Sequence, residues 1–250
     1  MKFFRAEAVV LKAREHKEAD RILTLFSLEH GKLRVMSYGS ARPSSRKRGA
    51  VQPFCRSRFF FTRSRDLARV DQAELLEFFP QIAADVDLFG LASYFAELVD
   101  GFTVDEAPNR ALYHLLVESL RILDRDSGVL ARAFEIRLLS LTGFGPELAC
   151  CVSCRQPVGL TGPPALSPKA GGAVCAECRK GYTDALGLSA GTLQMLRRLG
   201  EGDLRRVLTL RPNPPTRREL KQIMARTVAF HLGRMPRSLG LLEGLQRTDA

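Results

Sequence analysis

Two CxxC motifs in the second half of the sequence constrain the fold of this chain more than any other feature. A CxxC turn directs two sulfur atoms to one side, and two such turns complete a tetrahedral zinc site. The segment between the motifs is rich in glycine and proline and has little core, so the metal would supply its folding energy. We therefore predict a structural four-cysteine zinc module over residues 147–182, with Zn²⁺ bound by Cys151, Cys154, Cys175 and Cys178.

Other roles for these cysteines are less favoured. Two disulfides are disfavoured because the N-terminus carries no export signal, and thiols in the cytoplasm stay reduced. A thioredoxin-type redox pair is disfavoured because no βαβ pattern surrounds either motif. Cys150, beside Cys151, leaves the first ligand open, although the CxxC spacing favours Cys151. Cys55 falls in a predicted strand and is interpreted as a small buried hydrophobic residue.

Residues 1–80 alternate short β-prone runs with turns. The predicted strands cover residues 8–11, 22–26, 32–38, 54–62 and 70–79. Five short strands in about 75 residues favour a closed barrel, because an open sheet would leave its edges unpaired. We predict an OB-fold barrel, and an SH3-like barrel remains the alternative.

After Pro80 the apolar residues recur with the helical period, which predicts an α-helical domain over residues 81–250 with the zinc module inserted in it. The fold class is therefore α+β. Thr216 and Glu219 predict a capping box at the start of a late helix. Ser189 lies in a GxSxG match, but no strand pattern precedes it, so we interpret it as a helix N-cap rather than a nucleophile.

The positive charge of the chain is concentrated in two segments. The net charge of the 250 residues is +11, of which residues 42–69 carry +8 and residues 205–226 carry +6, leaving −3 elsewhere. Such patches attract polyanions and favour nucleic acid as a partner. Motifs for nucleotide hydrolysis and zinc proteolysis are absent, and no run is long enough to span a membrane. We therefore expect a cytoplasmic protein without enzymatic activity.

The predicted strand at residues 54–62 has two distinct faces. Phe59 and Phe61 would fill the barrel, whereas Arg58 and Phe60 would share the outer face, as cations and rings do in grooves that bind single strands. The alternative for Phe60 is packing against the helical domain. Phosphate charge should dominate binding and make it strongly salt-dependent. The candidate DNA-binding residues are Lys32, Arg34, Arg42, Arg46, Lys47, Arg48, Arg56, Arg58, Phe60, Arg63 and Arg65.

Several ordered pieces of the sequence resemble the RecO family of bacterial DNA repair proteins. They are Val10-Leu11, Glu18-Ala19-Asp20-Arg21, Thr24-Leu25-Phe26, Gly31, Gly39-Ser40-Ala41-Arg42, Gln52-Pro53-Phe54, Gly143 to Leu148 before Cys151, and His231-Leu232-Gly233-Arg234. Each piece is short, but their order and spacing are specific and cover nearly the whole chain. Zinc-binding cysteines occur in only part of that family, which agrees with a structural role for the metal.

The resemblance implies an OB-fold followed by a helical domain with the zinc module, and a recombination mediator of the RecF pathway without enzymatic turnover. Such proteins bind single- and double-stranded DNA and anneal complementary strands, including strands coated by single-stranded DNA-binding protein (SSB). With RecR they help RecA load, and they work at the bacterial nucleoid. Because SSB ends in an acidic tail, Arg217, Arg218 and Lys221 are candidate partner-binding residues, or they extend the DNA path. An RNA-binding assembly factor and a metal-dependent nuclease remain the rival hypotheses.

Overall fold

Five strands at the N-terminus close into a barrel in the computed structural model, which describes residues 3–64, 66–124, 128–159 and 162–239. The strands are β1 Phe3–His16, β2 Asp20–Ser27, β3 Gly31–Ser37, β4 Arg56–Thr62 and β5 Ala68–Glu77. Their order is β1-β2-β3-β5-β4, and the barrel closes because β1 pairs with both β2 and β4. The β3–β5 pair is parallel and the other pairs are antiparallel. The predicted OB-like barrel is confirmed.

The alternation along β4 sorts its side chains between the core and the surface. Phe59 and Phe61 are fully buried among the aliphatic residues of β1, β2 and β3, whereas Phe60 is exposed. Successive side chains of a strand point to opposite faces, so this pattern follows directly from the sequence. Cys55 is buried just before β4 begins, as expected for a small hydrophobic residue, and its burial raises the pKa of the thiol to about 11.

Three helices follow the barrel: α1 Pro80–Ala84, α2 Val86–Phe102 and α3 Arg110–Arg121. Helix α2 packs against β1 and β2. Asp85 caps α2 by accepting hydrogen bonds from the backbone N–H groups of Asp87 and Leu88. Glu97, also on α2, has a buried carboxylate that binds a much later segment of the chain. It accepts hydrogen bonds from the backbone N–H groups of Arg237 and Ser238 and from the Ser238 hydroxyl.

The chain divides into two compact units, and the first of them is discontinuous in sequence. Unit 1 comprises Met1–Arg125 together with Arg237–Ala250, and unit 2 comprises Asp126–Pro236. Unit 1 therefore contains the barrel, α1 to α3 and the segment that Glu97 binds. The division of the sequence at residue 80 into two domains remains a sequence-based prediction.

Unit 2 combines helices with a small sheet. Its elements are α4 Gly128–Leu141, β6 Ala165–Ser167, β7 Gly172–Val174, a 3₁₀ turn at Cys178–Gly181, β8 Leu186–Gly187, α5 Ala190–Gly200, α6 Leu204–Val207 and α7 Pro214–Leu232. The strand order is β7-β6-β8, and α4 packs against α5, α6 and α7. In the part of the chain that the structure describes, no helix is long and apolar enough to cross a membrane.

The helix caps of unit 2 confirm one prediction and correct another. The Ser189 hydroxyl accepts a hydrogen bond from the Thr192 N–H at 3.2 Å, so Ser189 is the N-cap of α5 as predicted. The capping box at Thr216 and Glu219 is wrong. Helix α7 begins earlier, at Pro214, because proline is pre-organised for the first helical turn, and Asn213 caps it. The Glu219 carboxylate instead accepts from the Ser189 N–H at 2.9 Å and the Thr192 hydroxyl at 2.6 Å.

Candidate nucleic-acid interface and metal centre

The segment between β3 and β4, residues 38–55, carries the basic loop and is folded onto the barrel by a series of turns. The backbone N–H of Ser45 donates to the Arg42 carbonyl, and that of Arg48 donates to the Ser45 carbonyl, each at 3.1 Å. Val51 is buried in the barrel core, and the Ser57 hydroxyl donates to the Ala50 carbonyl at 2.8 Å. The loop therefore presents its arginines from a supported backbone.

Four arginines of the predicted set have no acidic partner within the described residues. Arg42, Arg46 and Arg48 on the loop are exposed, and no carboxylate of the described residues lies within 4.0 Å of them. Arg63, after β4, is likewise exposed, and its guanidinium lies 5.3 Å from the centre of the Phe4 ring. These four cations are available to phosphate groups without breaking an ion pair.

Lys47 lies in the same loop but serves a different purpose. Its ammonium group donates to the Val70 carbonyl of β5 at 3.1 Å, which fixes the loop beside Arg69. Partial burial lowers the pKa of Lys47, with Asp71 opposing the shift and Arg69 adding to it. This lysine is thus a support for the loop.

Two cations of the predicted set hold the fold of unit 1. Lys32 is 6% exposed, and its ammonium group donates to the Asp100 and Thr103 carbonyls at 2.7 and 2.6 Å. Arg56 forms ion pairs with Glu7 at 2.6 Å and with Glu77 at 2.9 Å. Removing such a cation from its partners would leave buried polar groups unsatisfied. We therefore omit Lys32 and Arg56 from the interface that we propose below.

Glu77 connects the barrel to α3. Its carboxylate accepts two hydrogen bonds from the Arg121 guanidinium, at 2.7 and 2.8 Å, in the bidentate geometry that strengthens such pairs. The hydrogen bond from Arg121 is the main cause of a lowered pKa for Glu77, against the opposing effect of burial. Sequence reasoning did not identify these pairs, since Glu77 lies 21 positions from Arg56 and 44 positions from Arg121.

The remaining predicted cations form ion pairs at the surface. Arg34 pairs with Asp105 at 3.4 Å and Arg58 with Glu74 at 3.0 Å; the Arg34 side chain is largely exposed and that of Arg58 is about half exposed. Exposed ion pairs contribute little to stability, so these arginines can exchange their partners at small cost. Arg65 lies outside the described residues.

Phe60 borders a surface hollow of about 680 Å³ on the outer face of β1, β4 and β5. We call this the aromatic hollow and define it by Phe3, Arg5, Phe60 and Arg69. Phe3 is 71% exposed and Phe60 is 40% exposed, so Phe60 is not covered by a helix. Sequence reasoning missed Phe3 and Arg5. Their position beside Phe60 follows from the pairing of β1 with β4, in which Arg5 lies opposite Phe60.

The four predicted cysteine ligands come together in unit 2. The sulfur atoms of Cys151, Cys154, Cys175 and Cys178 all lie within 4.8 Å of one another, a group that can hold a metal ion. The Cys154 and Cys175 sulfurs are 3.8 Å apart. This matches the edge of about 3.8 Å expected for a tetrahedron with Zn–S bonds of about 2.3 Å. Cys150 is not in the group, and its backbone N–H donates to the Glu147 carboxylate at 3.2 Å.

Backbone N–H groups favour a thiolate at Cys151. The Cys175 N–H points at the Cys151 sulfur at 3.4 Å, and the Cys178 N–H points at the Cys175 sulfur at 3.5 Å. Burial raises the pKa of the Cys151 thiol, but hydrogen bonds from backbone N–H groups outweigh it and lower the pKa to about 6. The strand β7 leads directly into Cys175, so the small sheet positions the second CxxC turn.

The late basic patch lies on the first half of α7. Arg217, Arg218 and Lys221 are exposed there, and the Arg217 guanidinium donates to the Pro212 carbonyl at 3.0 Å. Exposure agrees with a role in binding, and that role stays a prediction.

Comparisons with known proteins cover almost the entire chain. Residues 1–79 match the family model described as "Recombination protein O N terminal", and residues 83–240 match the one described as "Recombination protein O C terminal". The chain is 46% identical over 244 residues to the "DNA repair protein RecO" of Desulforudis audaxviator, covering 97% of each chain. It is 41% identical to the protein of that name from Pelotomaculum thermopropionicum, covering 100% of this chain and 97% of the relative. The protein of that name from Moorella thermoacetica is 37% identical, covering 94% and 88%.

Proposed function

The chain belongs to the RecO family, and from this membership we propose that it acts in DNA repair as a non-catalytic protein that binds single- and double-stranded DNA. In this proposal it anneals complementary strands, including strands coated by SSB. With RecR it helps RecA load onto single-stranded DNA. Its place of action is the bacterial cytoplasm, at the nucleoid.

One observation carries the DNA-binding part of this proposal. Arg42, Arg46, Arg48 and Arg63 are exposed on an OB-like barrel without acidic partners among the described residues. Cations of this kind release counterions from DNA and bind phosphates without reading sequence. Because neutralised strands repel each other less and keep their bases free, the same contacts support annealing. Arg34 and Arg58 also belong to the proposed interface, because their surface ion pairs are weak and can be exchanged for contacts with phosphate groups.

We assign zinc to the four-cysteine centre as a structural ion. Four thiolates occupy every position of a tetrahedral site, so the metal would carry no water for chemistry. Its contribution would be to hold together the loop-rich segment between the two CxxC turns.

For the partners, the proposal places the acidic tail of SSB on the late basic patch of Arg217, Arg218 and Lys221. The support is charge complementarity alone. RecR is proposed as a second partner without an assigned surface.

The test of DNA binding is the salt dependence of affinity for a fluorescent oligothymidylate. The triple variant Arg42→Ala, Arg46→Ala, Arg48→Ala should bind more weakly and lose about 2 from the slope of log K against log salt, since each phosphate contact on a single strand contributes about 0.7. Arg110→Ala is the control, because Arg110 is an exposed cation at the start of α3 and is not part of the loop. It should leave the slope unchanged.

An unchanged slope in the triple variant would exclude the loop from the interface. The same variants are then compared in annealing of complementary strands coated with SSB. The triple variant should anneal more slowly than the wild type and the Arg110→Ala control. Equal rates would contradict the proposal that the loop cations bring the strands together.

A further inference from the structure

We propose that the aromatic hollow is a binding site for unpaired nucleobases, which allows the barrel to prefer single-stranded over double-stranded DNA. This inference rests on the proposed DNA-binding function and adds a second surface to it, on β1, β4 and β5 rather than on the loop.

The register of the strands brings the two exposed rings together. Arg5 of β1 is opposite Phe60 of β4, and Phe3 is opposite Thr62, so Phe3 and Phe60 are diagonal neighbours on the same face. Diagonal neighbours on paired antiparallel strands are about 7–8 Å apart. That separation is within reach of aromatic side chains. The pairing therefore places both exposed rings on the face that borders the hollow, where a base can contact them.

The charges around the hollow fit the backbone of the same ligand. Arg5 is exposed and has no carboxylate within 4.0 Å among the described residues. Arg69 and Asp71, which form an ion pair at 2.8 Å, also line the hollow, so Arg5 is the cation there without a partner among the described residues. Exposed aromatic rings beside the cation of Arg5 match single-stranded nucleic acid, whose bases stack on aromatic side chains while its phosphates meet basic residues. In a duplex the bases are paired and stacked, so they cannot enter.

The hollow and the basic loop are neighbours on β5. Lys47 of the loop donates to the Val70 carbonyl, and Val70 follows Arg69, which lines the hollow. A strand whose phosphates contact the loop can therefore continue to the hollow. The two surfaces would then have different tasks, since the loop binds any DNA and the hollow selects unpaired bases.

The test uses the fact that the chain contains no tryptophan. Phe60→Trp introduces a single fluorophore into the hollow of the full-length protein. Its emission should be quenched by oligothymidylate, but not by an abasic strand of the same length or by a duplex closed with hairpins at both ends. Phe89→Trp is the matched control, because Phe89 is a similarly exposed ring (46%) on α2 that does not line the hollow. Its emission should not respond to any of these ligands.

A second series measures affinity by anisotropy. Phe60→Ala should weaken oligothymidylate binding by roughly 5- to 150-fold, the range for loss of one stacked base, and leave duplex affinity and the salt slope unchanged. Phe60→Tyr should retain the affinity, because it keeps the ring, whereas Phe60→Leu should not. Phe60 is 40% exposed and lies outside the barrel core, so Phe60→Ala should still fold, which a wild-type circular dichroism spectrum checks.

The possible outcomes separate this inference from the proposed function. Quenching of Phe60→Trp by the abasic strand, or equal losses on single-stranded and duplex DNA, would overturn the stacking site. So would an emission that stays constant at saturating oligothymidylate. If the wild type binds no DNA at all, both the proposed function and this inference fail.

Discussion

Gly31, at the start of β3, allows the backbone of this strand to lie directly against the backbone of Ala107 and Pro108, the segment before α3. Its φ is +68°, and a Cβ atom added there would lie 2.1 Å from the Ala107 carbonyl oxygen and 2.9 Å from the Pro108 nitrogen. Both neighbours are backbone atoms, so the segment before α3 must move. The first bond at risk is that from the Glu106 N–H to the Lys32 carbonyl, at 2.9 Å.

Gly39 provides the control, because its φ is +63° but nothing lies within 4 Å of an added Cβ. Gly39→Ala should lower the free energy of unfolding by about 1–2 kcal/mol, the cost of a left-handed conformation for a residue with a Cβ. Gly31→Ala carries the same cost and about 1–3 kcal/mol for the overlap, so we expect a loss of about 2–5 kcal/mol. Urea unfolding followed by circular dichroism measures both variants. If Gly31→Ala costs no more than Gly39→Ala, the close approach to Ala107 is refuted.

Two further predictions concern the metal centre and the carboxylate of Glu77. Cys151→Ser should lose its stoichiometric zinc in elemental analysis and have a lower Tm. Cys150→Ser is the control and should retain the metal. Zinc loss in both variants, or in neither, would contradict the assigned ligand set. Because Arg121 lowers the pKa of folded Glu77, the stability from this carboxylate is complete above its unfolded pKa of about 4.3 and is lost as pH falls through the lower folded value. The stability advantage of the wild type over Glu77→Gln should therefore be largest near pH 7 and shrink towards pH 3, and a constant difference in urea midpoints would refute it.

Features set by local sequence were predictable. The alternation of Phe59, Phe60 and Phe61 determines which ring fills the barrel, because side chains of a strand point to alternate faces. The two CxxC motifs identified all four clustered cysteines in the same way, since each CxxC turn needs no distant residue to direct its two sulfurs.

Features set by distant partners were not predictable. Lys32 and Arg56 have the same charge as Arg46, but Asp100 and Glu77 neutralise the first two in the folded chain. Charge counts along the sequence cannot separate these cases, because the deciding contacts are between residues far apart in sequence. The aromatic hollow was not predictable for the same reason, because it forms only when β1 and β4 pair in the observed register. The start of α7 was predicted wrongly for a different reason: the sequence offers two caps, and Asn213, not Thr216, caps the helix.

The contacts of Glu97 have a consequence for the synthesis of this protein. Its carboxylate receives the N–H groups of Arg237 and Ser238, which leave the ribosome 140 and 141 positions later. At about 5–20 residues per second, this delay is about 7–28 s. All of unit 2 is made in that interval. The N-terminal unit, although it is translated first, therefore acquires these hydrogen bonds only after all of unit 2 has been made, and a nascent chain that stalls before residue 237 presents unit 1 without them to chaperones and proteases.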